Sequence, residues 1–247
     1  PPRSTLFPYT TLFRSIFFNG SQLTVTNCHF KNNKVLKAGS NNPQGGAVTL
    51  ATLSATNGLF ATFTNTTFEG NEAYVSGGAV FFNNVGTRLD TSPNSYVNFV
   101  NCTFLNNKAT NAATTGGAVN LTSGATSTFH LMEYKIVNCT FLNNSSAGTS
   151  SISTMTLNGN RYESVTLVNN LIVPLSSAST GDVLGANQTT NEKLKGSNNL
   201  IGGNISTSFI NSSFFRADSI VNNNLIGWRD DFFINAELTD NSTETKF

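Results

Sequence analysis

Charged residues are scarce in this 247-residue chain, in which Asp, Glu, Lys and Arg together make up 11%. The formal net charge is +1, and no segment carries the cluster of cations that phosphate binding requires, so a nucleic-acid partner is not expected. No apolar run approaches the ~20 residues of a membrane-spanning helix. The composition therefore argues against nucleic-acid binding and against a membrane span within this sequence.

Residue types that build catalytic and metal sites are also few, with two histidines and three cysteines. His29 falls at an outward position of a predicted strand, and His130 with Glu133 could hold a metal only with ligands from other coils. Residues 229–231 (RDD) form the densest charged cluster. Adjacent carboxylates on a strand point to opposite faces and so do not form the acid-base pair of a glycoside hydrolase. We therefore interpret the cluster as a solvated turn. We therefore predict no catalytic residue, no metal site and no cofactor.

Asparagine is abundant instead, at 36 of 247 residues, and it marks a nine-residue unit that occurs four times. The copies read VTNCHFKNN (residues 25–33), FTNTTFEGN (63–71), FVNCTFLNN (99–107) and IVNCTFLNN (136–144). Their first asparagines lie 38, 36 and 37 residues apart, a period typical of solenoids and repeat arrays. A second motif, GGAV, follows three of the copies, at residues 45–48, 77–80 and 116–119.

Each unit contains three short pieces in which apolar residues alternate, as in strands with one buried face. One piece ends at the asparagine, one follows it and one follows the glycines. Asparagine tolerates the left-handed backbone of a sharp corner, and Gly-Gly marks a corner where a side chain would obstruct the next coil. A single coil could not bury its own core, so the coils must stack. The sequence predicts an all-β fold, a right-handed parallel β-helix of about seven coils.

Stacking in register predicts columns of equivalent side chains, with the corner asparagines bonded amide to amide along the axis. The predicted columns are Asn27, Asn65, Asn101 and Asn138 at the corner; Cys28, Thr66, Cys102 and Cys139 just inside it; Phe30, Phe68, Phe104 and Phe141 in the core; and Gly46, Gly78 and Gly117 at the glycine corner.

The three cysteines share one slot of the repeat with Thr66, which favours a role as small core side chains. At ~4.8 Å between coils, Cys102 and Cys139 could just form a disulfide, whereas Cys28 lies two coils from Cys102 and is out of reach. We therefore expect at least one free thiol.

The regular repeats occupy residues 16–160. Residues 5–15 (TLFPYTTLFRS) resemble the translation of a sequencing-library adapter, so we expect residues 1–15 not to be native and the chain to be a fragment. Over residues 161–247 the pattern weakens to three closing coils, at 164–173, 195–203 and 220–228, and we expect this region to be truncated. A polar insertion at residues 175–192 is predicted to leave the body of the coil.

The recurring FxxN and GGAV motifs resemble the repeats of the polymorphic outer-membrane-protein family, first recognised in chlamydial surface proteins. The resemblance covers about residues 23–157. It implies a parallel β-helix exported to the bacterial cell surface and associated with the outer membrane, often as an autotransporter passenger that serves in adhesion. The FxxN pairs are Phe30/Asn33, Phe68/Asn71, Phe104/Asn107 and Phe141/Asn144.

Two functional hypotheses follow. A secreted structural or adhesin-like module would present polar faces and the variable segments 34–44, 83–96 and 108–115 to a host-surface or matrix glycan or protein. The alternative is a polysaccharide lyase or glycoside hydrolase of the pectin-lyase-like class, which needs clustered carboxylates and a base. The sequence offers no such cluster, so the surface module is the favoured hypothesis.

Overall fold

The computed structural model describes residues 12–13, 15–37, 44–52, 58–84, 95–111, 116–123, 132–147, 155–158, 163–174, 184–186, 194–202 and 225–226. Every element assigned in these ranges is a β-strand, and the strands pair in parallel with their counterparts in neighbouring coils. The chain therefore forms the predicted parallel β-helix. Its right-handed sense stays a prediction that rests on the general preference of parallel connections.

Sheet 1 contains the strand of each coil that ends at the asparagine corner. In β11, for example, Val97 and Phe99 are buried while Tyr96 and Asn98 are partly exposed, which is the alternation read from the sequence. The strands of sheet 1 are β3 (Gln22–Thr26), β7 (Phe60–Thr64), β11 (Ser95–Val100), β15 (Met132–Val137), β18 (Glu163–Val168) and β21 (Leu194–Ser197).

Sheet 2 follows the corner and stacks eight strands. Seven of them belong to the seven predicted coils; the eighth, β1, lies within the segment that we expected not to be native and pairs with β4. The strands of sheet 2 are β1 (Leu12–Phe13), β4 (His29–Lys31), β8 (Thr67–Glu69), β12 (Thr103–Leu105), β16 (Thr140–Ser146), β19 (Leu171–Pro174), β22 (Leu200–Ile201) and β23 (Leu225–Ile226).

The sequence predicted three strands per coil, and the structure adds a short fourth one. A second corner precedes it, at Asn32, Gly70, Asn106 and Asn143, all with φ between 55° and 62°. Asn and Gly recur at this corner because both tolerate the left-handed backbone that the turn requires. The additional strands are β5 (Lys34–Val35), β9 (Glu72–Ala73) and β13 (Lys108–Ala109), and the end of β16 continues the same row.

Sheet 3 follows the glycine corner. Its last strand, β20, lies inside the insertion that we predicted to leave the body, so that prediction is wrong for residues 184–186. Each coil must pass through sheet 3 before it re-enters sheet 1, and β20 supplies that passage. The strands of sheet 3 are β2 (Ile16–Asn19), β6 (Val48–Thr52), β10 (Val80–Asn84), β14 (Val119–Ser123), β17 (Met155–Asn158) and β20 (Leu184–Ala186).

Stacked aromatic rings fill the core behind sheets 1 and 2. The centroid distances along the predicted phenylalanine column are 5.1, 4.8 and 4.5 Å, with interplanar angles of 7° or less, over Phe30, Phe68, Phe104 and Phe141. Phe63 and Phe99 from sheet 1 form a second stack, at 5.0 Å, and meet the first stack edge to face. All these rings are fully buried, so each coil completes the core of its neighbours.

Candidate functional site

The first corner carries an exposed row of asparagines, which we call the outer ladder. Asn27, Asn65, Asn101 and Asn138 all have left-handed backbone, with φ between 49° and 53°. Nδ2 of Asn65 donates to Oδ1 of Asn27 at 3.2 Å, and Nδ2 of Asn101 donates to Oδ1 of Asn65 at 3.3 Å. The ladder continues into a weaker coil, where Asn169 donates to Asn138 at 3.1 Å.

The second corner carries a buried row, the inner ladder, which sequence reasoning missed. It consists of Asn33, Asn71, Asn107 and Asn144, the last residues of the four FxxN motifs, each 7% exposed or less. Within it, Nδ2 of Asn71 donates to Oδ1 of Asn107 and to the Phe30 carbonyl, both at 2.9 Å. The constant three-residue spacing of this asparagine from the core phenylalanine in all four copies was the signal that could have identified it.

The buried ladder changes corner in the closing coils. Asn170 and Asn199 take the slot that Cys139 fills one coil earlier, and Nδ2 of Asn170 donates to Oδ1 of Asn199 at 2.9 Å. Oδ1 of Asn170 accepts the backbone N–H of Cys139 at 2.9 Å, which joins the two arrangements. Buried amides therefore bridge successive coils at one corner or the other.

The cysteine slot holds a small side chain that donates to the carbonyl two residues earlier. Sγ of Cys28 donates to the Thr26 carbonyl oxygen at 3.2 Å, and Oγ1 of Thr66 donates to the Thr64 carbonyl oxygen at 2.9 Å. All three cysteines are buried free thiols, so the pairing that the sequence left open is not formed.

Cys102 and Cys139 nevertheless lie in contact, since the backbone N–H of Cys102 donates to Sγ of Cys139 at 3.4 Å. The pKa of the Cys139 thiol is raised, first by its hydrogen bond with Cys102 and then by burial. Burial likewise raises the pKa of the Cys28 thiol. The Cys28 and Cys139 thiols thus stay protonated and chemically quiet in the folded chain.

The glycine corner brings successive coils into direct backbone contact. A Cβ placed on Gly46 would lie 2.1 Å from the Gly78 carbonyl oxygen, and one placed on Gly78 would lie 2.1 Å from that of Gly117. Both distances are far below any real contact, so this column has room for hydrogen and nothing larger.

Charged side chains of the described residues form surface groups of two or three. Glu69 binds Lys31 and His29, each at 2.8 Å, and the hydrogen bond from Lys31 is the largest cause that lowers the pKa of Glu69. Glu72 pairs with Lys34 and Glu133 with Lys135, both at 3.1 Å. An ionised, cation-paired carboxylate is poorly suited to donate a proton as a general acid.

No group of three His, Cys, Asp or Glu side chains comes together in the described part of the chain. His130 and residues 229–231, which the sequence singled out, lie outside it. Of the pair His130 and Glu133, the structure therefore places Glu133 alone, on the outer face of β15 beside Lys135.

Sheet 1 presents three outward columns of different chemistry. The first reads Gln22, Phe60, Tyr96 and Glu133 across successive coils, the second reads Thr24, Thr62, Asn98 and Lys135, and the third reads Thr26, Thr64, Val100 and Val137. The rings of Phe60 and Tyr96 are 5.2 Å apart and inclined by 57°. Both side chains are partly exposed, in contrast to the fully buried core rings.

Stacked parallel coils with repeating asparagine and glycine corners define the chain as a parallel β-helix repeat protein. A family model described as the Chlamydia polymorphic membrane protein repeat matches residues 65–85, which run from the corner Asn65 through the glycine corner to the end of β10. One repeat of the chain therefore matches the polymorphic membrane protein repeat, as the resemblance predicted. The curated proteins and the solved structures contain no match. Within the described ranges, no helix has the length and apolar character to cross a membrane.

Proposed function

We propose that the chain is part of a bacterial cell-surface protein in which the β-helix is a rigid support for attachment to a host-surface or matrix partner. The observation that carries this proposal is that strand lengths hold steady while the connectors vary. Sheet 1 and sheet 3 strands of the regular coils keep five or six residues from β3 to β15. The connectors from sheet 3 to sheet 1 span residues 53–59, 85–94 and 124–131, which is seven, ten and eight residues.

Such a pattern is typical of recognition surfaces on a fixed scaffold, because connectors can change without altering the core. The polymorphic membrane protein repeat at residues 65–85 supports export to the bacterial surface. The low charge and the polar outer ladder suit a solvated surface protein that contacts partners through hydrogen bonds.

The test is attachment of beads coated with the purified chain to cultured epithelial monolayers. Replacing residues 85–94 with a seven-residue Gly/Ser linker, the length of the 53–59 connector, should reduce bead attachment several-fold. A matched Gly/Ser replacement of residues 148–154, between β16 and β17, should leave attachment unchanged.

Circular dichroism and thermal unfolding of both variants provide the control for folding, because the proposal predicts that exchange of a connector leaves the β-sheet signal unchanged. Wild-type beads that attach no better than albumin-coated beads would refute the proposal. Loss of the β-sheet signal with the 85–94 replacement would show instead that this connector is structural.

A further inference from the structure

The aromatic pair Phe60–Tyr96 has no evident role in the core. Both rings point outward from sheet 1 on adjacent coils, while the inward positions beside them, Ala61 and Val97, are fully buried. The equivalent outward positions in the flanking coils are Gln22 and Glu133. A partly exposed aromatic platform therefore lies between polar side chains in its own column.

We propose that this platform binds a neutral glycan, with sugar rings packed on Phe60 and Tyr96 and hydroxyl groups bonded to the adjacent polar column. This proposal deepens the surface function proposed above and rests on it. Aromatic faces pack well against the C–H groups of a sugar ring, and polar groups at fixed positions then set its orientation. The strand spacing of ~4.8 Å is close to the length of one sugar residue along an extended chain, so adjacent coils can hold successive residues.

The second outward column supplies hydrogen-bonding groups at the same level. Thr62 lies beside Phe60, and Asn98 lies beside Tyr96. Both residues are partly exposed, so their hydroxyl and amide groups are placed to bond sugar hydroxyls.

Charge selects the class of glycan. The charged side chains at the edge of the platform, Glu133 and Lys135, neutralise each other at 3.1 Å. The remaining outward positions of the first two columns from β3 to β11 are uncharged. A platform with no net charge around it offers nothing to a sulfate or a uronate, so a neutral oligosaccharide fits better than an acidic one.

The test is titration of the full chain with lacto-N-tetraose, mannohexaose, cellohexaose and chitohexaose as neutral probes, and with heparin and polygalacturonate as acidic ones. We expect at least one neutral probe to bind. Phe60→Thr and Tyr96→Thr should each weaken that binding at least tenfold, whereas Tyr96→Phe, which keeps the ring, should retain most of it. The matched control is Leu105→Thr, which removes a half-exposed apolar side chain from sheet 2 of the same coil and should change nothing.

Thermal unfolding of each variant checks that the coil is intact, and threonine is chosen because it occupies the neighbouring outward position 62. The inference is overturned if no neutral probe binds or if an acidic probe binds more tightly than the neutral ones. It is also overturned if the folded Phe60→Thr and Tyr96→Thr variants bind as well as the parent. Bead attachment separates the two proposals: attachment that persists in the double variant rejects the platform alone, whereas wild-type beads that fail to attach reject the surface function.

Discussion

Asn107 receives two hydrogen bonds from Asn71 on a single oxygen, one from the backbone N–H at 3.0 Å and one from Nδ2 at 2.9 Å. Asn107 in turn donates to Oδ1 of Asn144 and to the Phe68 carbonyl, each at 2.9 Å. One buried side chain thus connects three coils. Buried amides that are fully bonded stabilise a fold, but removal of one leaves several partners unsatisfied.

Asn107→Ala should therefore lower the free energy of unfolding by about 3 kcal/mol or more, since it strands two donors of Asn71 inside the core. The matched change on the outer ladder is Asn101→Gly, which keeps the left-handed backbone and removes an exposed bond. Asn101→Gly should lower the free energy of unfolding by no more than about 1 kcal/mol. Urea unfolding followed by circular dichroism measures both. Equal decreases in the free energy of unfolding would mean that burial of the inner ladder adds nothing to stability.

Two glycine substitutions should have opposite outcomes. Gly78→Ala places a methyl group 2.1 Å from the Gly117 carbonyl oxygen and 2.5 Å from the backbone nitrogen of Lys108, so neighbouring coils must separate. We expect a loss of several kcal/mol or failure to fold. Gly70→Asn should be neutral or stabilising by about 0.5 kcal/mol, because Gly70 shares its corner with Asn32, Asn106 and Asn143, and the nearest obstacle is the flexible end of Asn32.

Soluble yield and thermal midpoint report on both variants. A Gly78→Ala protein as stable as the parent would show that the coils can move apart at this corner at no cost. A strongly destabilised Gly70→Asn protein would show that the second corner requires glycine in this coil.

The cysteine slot should accept threonine and reject valine. Cys102→Thr keeps a donor for the Val100 carbonyl, as Thr66 does for the Thr64 carbonyl, so it should cost less than about 1 kcal/mol. Cys102→Val has a similar volume but removes that donor, and should cost about 1–3 kcal/mol. The denaturant midpoints of the two variants measure this difference. A Cys102→Val protein at least as stable as the Cys102→Thr protein would show that the slot selects side-chain size alone.

Alkaline pH should destabilise the chain through its buried thiols. The pKa values of Cys28 and Cys139 are raised above the ordinary 9.0, so the folded state keeps protons that the unfolded state loses. Their contribution to stability is present below about pH 9 and is lost as the pH rises beyond it, by at most ~1.4 kcal/mol per pH unit for each thiol.

Unfolding of the parent and of a Cys28→Ser/Cys139→Ser double variant at pH 7.5 and pH 10 measures this difference, and subtraction removes the contributions of lysine and tyrosine. Native iodoacetamide labelling at pH 8 should be slow, and labelling in urea should be complete. Rapid native labelling would contradict the protection that burial predicts.

Much of the fold could be predicted from the sequence because the repeat places equivalent residues at equal intervals. The alternation in β11 and the period of Asn27, Asn65 and Asn101 are local signals, and they determine strand faces and corners directly. The fourth strand was missed because β9 and β13 are two residues long, too short for alternation to appear. The inner ladder was missed because composition treats asparagine as polar, while Asn71 is buried through bonds to neighbouring coils.

The outward platform was missed although its signals are present in the sequence. Phe60 and Tyr96 precede their corner asparagines by five residues each, so the repeat puts them in one column, but aromatic residues in strands usually belong to the core. Parallel pairing confirms that both rings occupy the same outward column.

The hydrogen bonds between coils have a mechanical consequence. They run along the axis of the coil, as from Thr103 N–H to the Thr66 carbonyl, so a pull on the two ends loads them one coil after another. Such a protein should yield stepwise under tension. Each coil of roughly 37 residues would release on the order of 120 Å of chain at ~3.3 Å per residue. A surface module that lengthens in steps would keep its hold on a partner while force is applied to the cell.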